Sequence, residues 1–119
     1  MGTLSNSSRL SALAWLYLRV SGILVLFLAL GHLYIMHIAN SIETIDSAFA
    51  AERLSAPVWR AYDFLLLTLA LSHGGFGINN ILQDCINEKR KKLASGIVLI
   101  VCAALFVIGL AVFIKDFKV

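Results

Sequence analysis

His73 opens a run of small and polar residues, His73-Gly74-Gly75-Phe76-Gly77, directly after an almost wholly apolar segment from Phe64 to Leu71. An imidazole is costly in such surroundings, so its presence there marks a use. On a helix the residues four, seven and eleven positions further on lie within about 40° of it, which puts Gly77, Asn80 and Asp84 on its face. Glycines beside and below the ring leave the backbone open to something flat, a use of missing side chains that helix propensity opposes. Haem, held through a ring nitrogen, fits that description.

A second histidine, His32, follows Gly31 in an earlier apolar run. Ser21 lies eleven residues before it, about 20° of rotation away, with Val25 and Leu28 on the same stripe. Arg19 falls on a different side of that helix and near its end, where it can snorkel or reach an anionic group at the membrane surface. His37 lies about 140° from His32 and close to the apolar boundary, and reads as an interfacial histidine. Counting helical rise, His73 stands about 16 Å above Asp84, whereas His32 stands about 20 Å above Arg19. Two imidazoles gripping one iron must share a depth. These two therefore suit different irons, each needing a further histidine that only a partner chain could bring. Taken singly, a transmembrane histidine also suits an interhelical hydrogen bond or a proton path. Two of them, each beside glycine, favour haem. Asp84 also suits a helix end or a contact with water, and Asn79 and Asn80 suit interhelical hydrogen bonds.

The elements that must position these residues follow from composition. In 119 residues, 60% are hydrophobic and 14% charged, and mean hydropathy is +0.87. A domain this small exposes too much surface to carry that balance in water, so the chain belongs in a bilayer. The net charge of +3 does not point to nucleic acid, because most of the excess is concentrated in Lys89-Arg90-Lys91-Lys92 between apolar runs, where it acts as a topology signal. Cys85 and Cys102 lie at different depths and form neither a disulfide framework nor a metal-ligand spacing.

Three membrane-spanning helices result, an all-α transmembrane class in a single membrane-anchor domain. Met1 to Arg9 is a polar lead in which Ser7 or Ser8 could cap the first helix, from about 12 to 38, with Trp15 and Tyr17 as interfacial anchors. Ala48-Phe49-Ala50 has a signal-peptidase-like pattern, but the apolar run before it is too long and too far away for cleavage. The acidic stretch from Asn40 to Ala56 reads as an exposed connection with a short amphipathic turn. Pro57 suits the first turn of the second helix, about 58 to 83. The basic loop Glu88 to Lys92 ends it, and the third helix runs from about 93 to 114, with Gly96, Ala103, Ala104 and Gly109 available for packing. Basic residues face the cytoplasm, so the N-terminus and the Lys89–Lys92 loop lie inside, and the acidic connection and C-terminus outside, despite Lys115 and Lys118.

Leu18-Arg19-Val20-Ser21-Gly22, Gly31-His32-Leu33-Tyr34, and His73-Gly74-Gly75-Phe76-Gly77 with Asp84, in this order, resemble the small D-type membrane-anchor subunit of succinate dehydrogenase, respiratory complex II. The likeness extends over all three helices. It implies half of a haem-binding helical bundle completed by a second, C-type anchor subunit, in the bacterial cytoplasmic (inner) membrane. It implies that His73 is an axial ligand of the haem b nearer the iron–sulfur subunit, and that His32 binds a second, distal haem as in two-haem members. Arg19 and Ser21 inherit places near haem propionates and the quinone pocket, and Asp84 a weaker one at the quinone site or a proton path. Many relatives carry tyrosine directly after that aspartate where this chain has Cys85, which removes one expected quinone contact.

The resemblance further implies that flavoprotein and iron–sulfur subunits oxidise succinate while the anchor pair passes electrons through haem b to quinone. This chain has no flavin motif and no iron–sulfur cysteine cluster, so its expected work is docking, haem ligation and shaping the quinone site, with no catalytic residue of its own. Anchorage of a quinol:fumarate reductase is the nearest alternative. A haem-free structural or transport subunit, with His32, His73 and Asp84 as a relay, is the alternative of another class.

Overall fold

The computed structural model describes residues 6–115, with side chains from Leu10 onward. The polar lead up to residue 5, and Lys118, lie outside the described residues. Four α-helices follow one another: α1 (Asn6–Leu33), α2 (Ser47–Ser55), α3 (Pro57–Cys85) and α4 (Glu88–Ile114). A π-helical turn, Tyr34–Ala39, extends α1, and a 3₁₀ turn, Ile42–Thr44, leads towards α2. Three stretches, Leu10–Ala39, Pro57–Cys85 and Glu88–Ile114, are long and apolar enough to cross a membrane. At 1.5 Å per residue even the shortest reaches about 40 Å, more than a hydrocarbon core requires. No strand occurs among the described residues. The chain is an all-α multi-pass membrane protein.

Helix α3 is the central element, packing on α1 along one side and on α4 along another. The half-buried positions of α1 recur as Tyr17, Leu18, Ser21, Gly22, Val25, Leu28, Gly31 and His32, one stripe at helical spacing. On α4 the corresponding stripe is Ser95, Val98, Cys102, Phe106, Gly109 and Phe113. Only Ile86 and Asn87 separate α3 from α4, so the two must run antiparallel. Phe64 meets Phe106 and Phe113 near one end of this hairpin, with centroids 6.1 and 5.5 Å apart, and Asn79 meets Ser95 near the other.

Several local expectations change. Helix α1 already begins at Asn6, so Ser7 and Ser8 lie inside its first turn instead of ahead of it. The segment Glu88 to Lys92 is the start of α4, not a loop; Lys91 Nζ donates to Glu88 Oε1 at 2.5 Å, one turn apart. Of the small residues on α4, Gly109 meets Leu67 of α3, but Gly96 has open space and Ala103 and Ala104 face outward. Tyr17 turns inward, its hydroxyl hydrogen-bonded to that of Ser72.

The acidic connection holds a short helix. Asp46 caps α2 by accepting from the Phe49 N–H at 2.8 Å. After α2 a single residue, Ala56, separates it from Pro57 at the start of α3. That tight turn folds α2 back onto α3 and buries Arg53 to 7% exposure. The stretch is therefore an exposed connection, with Ser41 to Thr44, Asp46 to Ala48, Ala50 and Glu52 in the open, whose one short helix packs on α3 through Arg53.

Candidate functional site

The α1–α3 seam holds two polar clusters at different heights. In the lower one, towards the α3–α4 turn, His73 of α3 reaches across to Ser21 of α1, Nδ1 to Oγ 2.9 Å. Ser21 is only 1% exposed, and its hydroxyl proton is directed to the Leu18 carbonyl at 3.4 Å. The serine thus holds the ring through Nδ1. Gly22 makes this approach possible. A Cβ there would lie 3.0 Å from His73 Cε1, tighter than ordinary contact. One turn towards the α3–α4 turn, Tyr17 adds a ring contact with Phe76 at 5.7 Å.

The upper cluster draws on three elements. His32 near the end of α1 places Nδ1 3.3 Å from Asp63 Oδ1 of α3. Arg53 of α2 grips the same carboxylate with two donors, Nε to Oδ2 and one terminal nitrogen to Oδ1, each at 2.9 Å. This fork geometry suits a guanidinium and not an ammonium. The Arg53 guanidinium also lies 4.5 Å from the Trp59 ring centroid. Tyr62 fixes the seam just beside it by donating to the Leu28 carbonyl at 2.5 Å. Because a carboxylate only accepts, His32 Nδ1 is the donor in this contact.

The two imidazoles are separated along the seam. Asp63 precedes His73 by ten residues of α3, and Ser21 precedes His32 by eleven of α1; both counts place the rings about 15 Å apart in height. No group of three or more histidine, cysteine, aspartate or glutamate side chains converges among the described residues.

The glycines divide by use. Gly31 is occupied by Tyr62, whose hydroxyl would lie 2.5 Å from a Cβ there, and Gly75 by Cys102, whose Sγ would lie 2.9 Å away. These two serve helix packing and not the approach of a flat ligand. Gly74 and Gly77 have nothing within 4 Å of the Cβ position, so the α3 face beside His73 is open. Beside His32 a groove of about 480 Å³ runs between the helices, with Met36, Leu66, Ala70 and Val112 among its walls. An apolar groove with the small residues Ala50, Ala70 and Gly109 in its lining and one imidazole, His32, at its wall has the chemistry that a flat apolar cofactor would need there.

The other sequence candidates stay apart from these clusters. Arg19 is exposed, its guanidinium 4.1 Å above the Trp15 ring on the side of α1 away from Ser21. Asp84, Asn80 and His37 are exposed on this chain. Asn79 does bridge helices: Ser95 Oγ donates to Asn79 Oδ1 at 2.6 Å, and Gln83 Nε2 donates to Ser95 Oγ at 2.7 Å. Asp63 and Arg53 escaped the sequence reading. An acid inside a spanning helix was a usable signal for Asp63. Nothing in the sequence joined Arg53 to it, since their pairing depends on the turn at Pro57.

Comparison with known proteins agrees with this architecture. The family model described as succinate dehydrogenase/fumarate reductase transmembrane subunit matches residues 3–113. The succinate dehydrogenase hydrophobic membrane anchor subunit of Archaeoglobus fulgidus is 33% identical over 88 residues, covering 74% of this chain and 74% of that protein.

Proposed function

The chain belongs to the succinate dehydrogenase/fumarate reductase transmembrane subunit family, and on that premise we propose that it is the D-type cytochrome b anchor of a succinate:quinone oxidoreductase with two haems. The observation that supports the reading is the pair of imidazoles held through Nδ1 at heights about 15 Å apart. His73 would hold the haem nearer the soluble subunits and His32 the distal haem. A second, C-type anchor subunit supplies the opposing histidines, and the exposed face of α3 through Asn80 and Asp84 is where it has room to pack.

Haem b, when bound, supplies single-electron relay. The chain's own residues bind and orient it: Ser21 and Asp63 each hold one imidazole through its Nδ1, and the apolar helices exclude water from the groove. Ser21, buried in the seam, is assigned to His73 and not to the quinone. Arg19, exposed near the membrane surface, is assigned to an anionic group such as a propionate or lipid headgroup. In the complete complex, succinate gives up two electrons and two protons to become fumarate on the flavoprotein. The electrons pass through the iron–sulfur subunit, and quinone takes two electrons and two protons to become quinol. Asp84, exposed at the end of α3, is the group of this chain best placed to meet that quinone. The Lys89–Lys92 block faces the cytoplasm beside the soluble subunits, in the cytoplasmic membrane of a bacterial-type cell.

A pyridine haemochrome assay on the purified four-subunit complex tests this. Two haems b per anchor pair are expected, with one lost in His73→Ala and the other in His32→Ala. Unchanged haem in both variants overturns it.

A further inference from the structure

An ion pair beside the membrane-spanning part of a helix is expensive, and well-packed apolar side chains of the same volume would hold α2 to α3 at least as firmly. Yet Asp63 and Arg53 keep side-chain exposures of only 15% and 6%, and the carboxylate oxygen that takes the terminal guanidinium nitrogen is also the one facing His32 Nδ1. All three residues line the same groove of about 480 Å³. Resting on the haem reading above, we propose that Asp63, gripped by Arg53, is a positioning residue for His32: it fixes which ring nitrogen faces the groove and sets how strongly that nitrogen donates to iron.

The physical basis is transmission through the ring. An acceptor on Nδ1–H raises the electron density at Nε2, and a carboxylate does so more than a neutral oxygen. The guanidinium draws off part of the charge of Asp63, so the pair sets an intermediate donor strength. Stronger donation stabilises the ferric state and lowers the midpoint potential of that haem. The two partners therefore act with opposite signs. Removing the charge of Asp63 raises the potential, whereas removing the charge of Arg53 leaves a bare carboxylate on the ring and lowers it.

The test is a potentiometric titration of the b-type absorbance in the purified complex at fixed pH, with His32→Ala used to identify the haem in question. Asp63→Asn is expected to raise its midpoint by a tenfold change in the reduced-to-oxidised ratio, 59 mV for one electron, and to move its low-spin EPR signal. Arg53→Gln is expected to lower the same midpoint, and Arg53→Lys, which keeps charge but loses the fork, to lower it less. The His73 haem stays where it was in all three. If Asp63→Asn does not assemble, the sign of the two Arg53 variants decides. Unmoved midpoints with haem content intact overturn the proposal, as do shifts of one sign in every variant, which would show only general loosening. Absence of a His32-dependent haem in the unmodified complex is a different result: it removes the functional reading itself.

Discussion

His73 and His32 are held at the same ring nitrogen, but the first meets a neutral hydroxyl contributed by one neighbouring helix and the second a carboxylate clamped by a third element. The lower seam needs only complementary stripes on α1 and α3: Ser21 holds the ring, Gly22 admits it, and Tyr17 with Ser72 continues the contact. At the upper end, by contrast, α2 must fold back before Arg53 can reach Asp63. Two histidines of equal chemistry thus stand in unequal surroundings. The lower is insulated and neutral; the upper is tied to a charge that other residues can adjust.

The sharpest way to break the comparison is to delete each ring. His73→Ala and His32→Ala should each abolish one haem signal while leaving the other, read from the b-type spectrum of the complex; loss of both in either variant would mean that the two sites are not separate. Next in size is Arg53→Ala, which strands a carboxylate that is 15% exposed. Breaking a buried pair from one side costs about 3–5 kcal/mol. Thermal melting of the detergent-solubilised complex should show it, and an unchanged transition would mean that α2 is not needed to hold the upper seam.

Gly31→Ala should come third. Its methyl group would meet the Tyr62 hydroxyl at 2.5 Å, and overpacking of this kind costs about 1–3 kcal/mol. If Tyr62 yields, the His32 haem should be perturbed and the His73 haem spared. Ser21→Ala is the mildest. It removes the hydroxyl behind His73 at a site only 1% exposed, where water cannot easily replace it, for roughly 1 kcal/mol or somewhat more. A small spectral shift confined to the His73 haem is expected; a larger effect on melting than that of Arg53→Ala would reverse the ranking of the two seams.

The inward face of α1 was legible beforehand. Ser21, Val25, Leu28 and His32 do share the α1 face that meets α3, because helical periodicity alone sets that alignment. Glycine usage was only half legible: their clustering near the histidines was visible, but Gly31 and Gly75 admit Tyr62 and Cys102 while Gly74 and Gly77 stay open. A missing Cβ does not reveal what fills its place. In the acidic connection Glu43, Asp46 and Glu52 are exposed as their charge suggests, but the capped helix and one-residue turn direct Arg53 inward, which no local pattern announced.

The amino-acid order by itself determined three apolar spans, their antiparallel succession and the unequal heights of two intramembrane histidines, since length, hydropathy and 1.5 Å of rise per residue are properties of one helix at a time. Only the tertiary structure decided which partner stands behind each ring. Ser21 and His73 are 52 residues apart and His32 and Asp63 are 31 apart. Such pairings depend on how neighbouring helices are rotated and offset, and on where α2 comes to rest, none of which any single segment encodes.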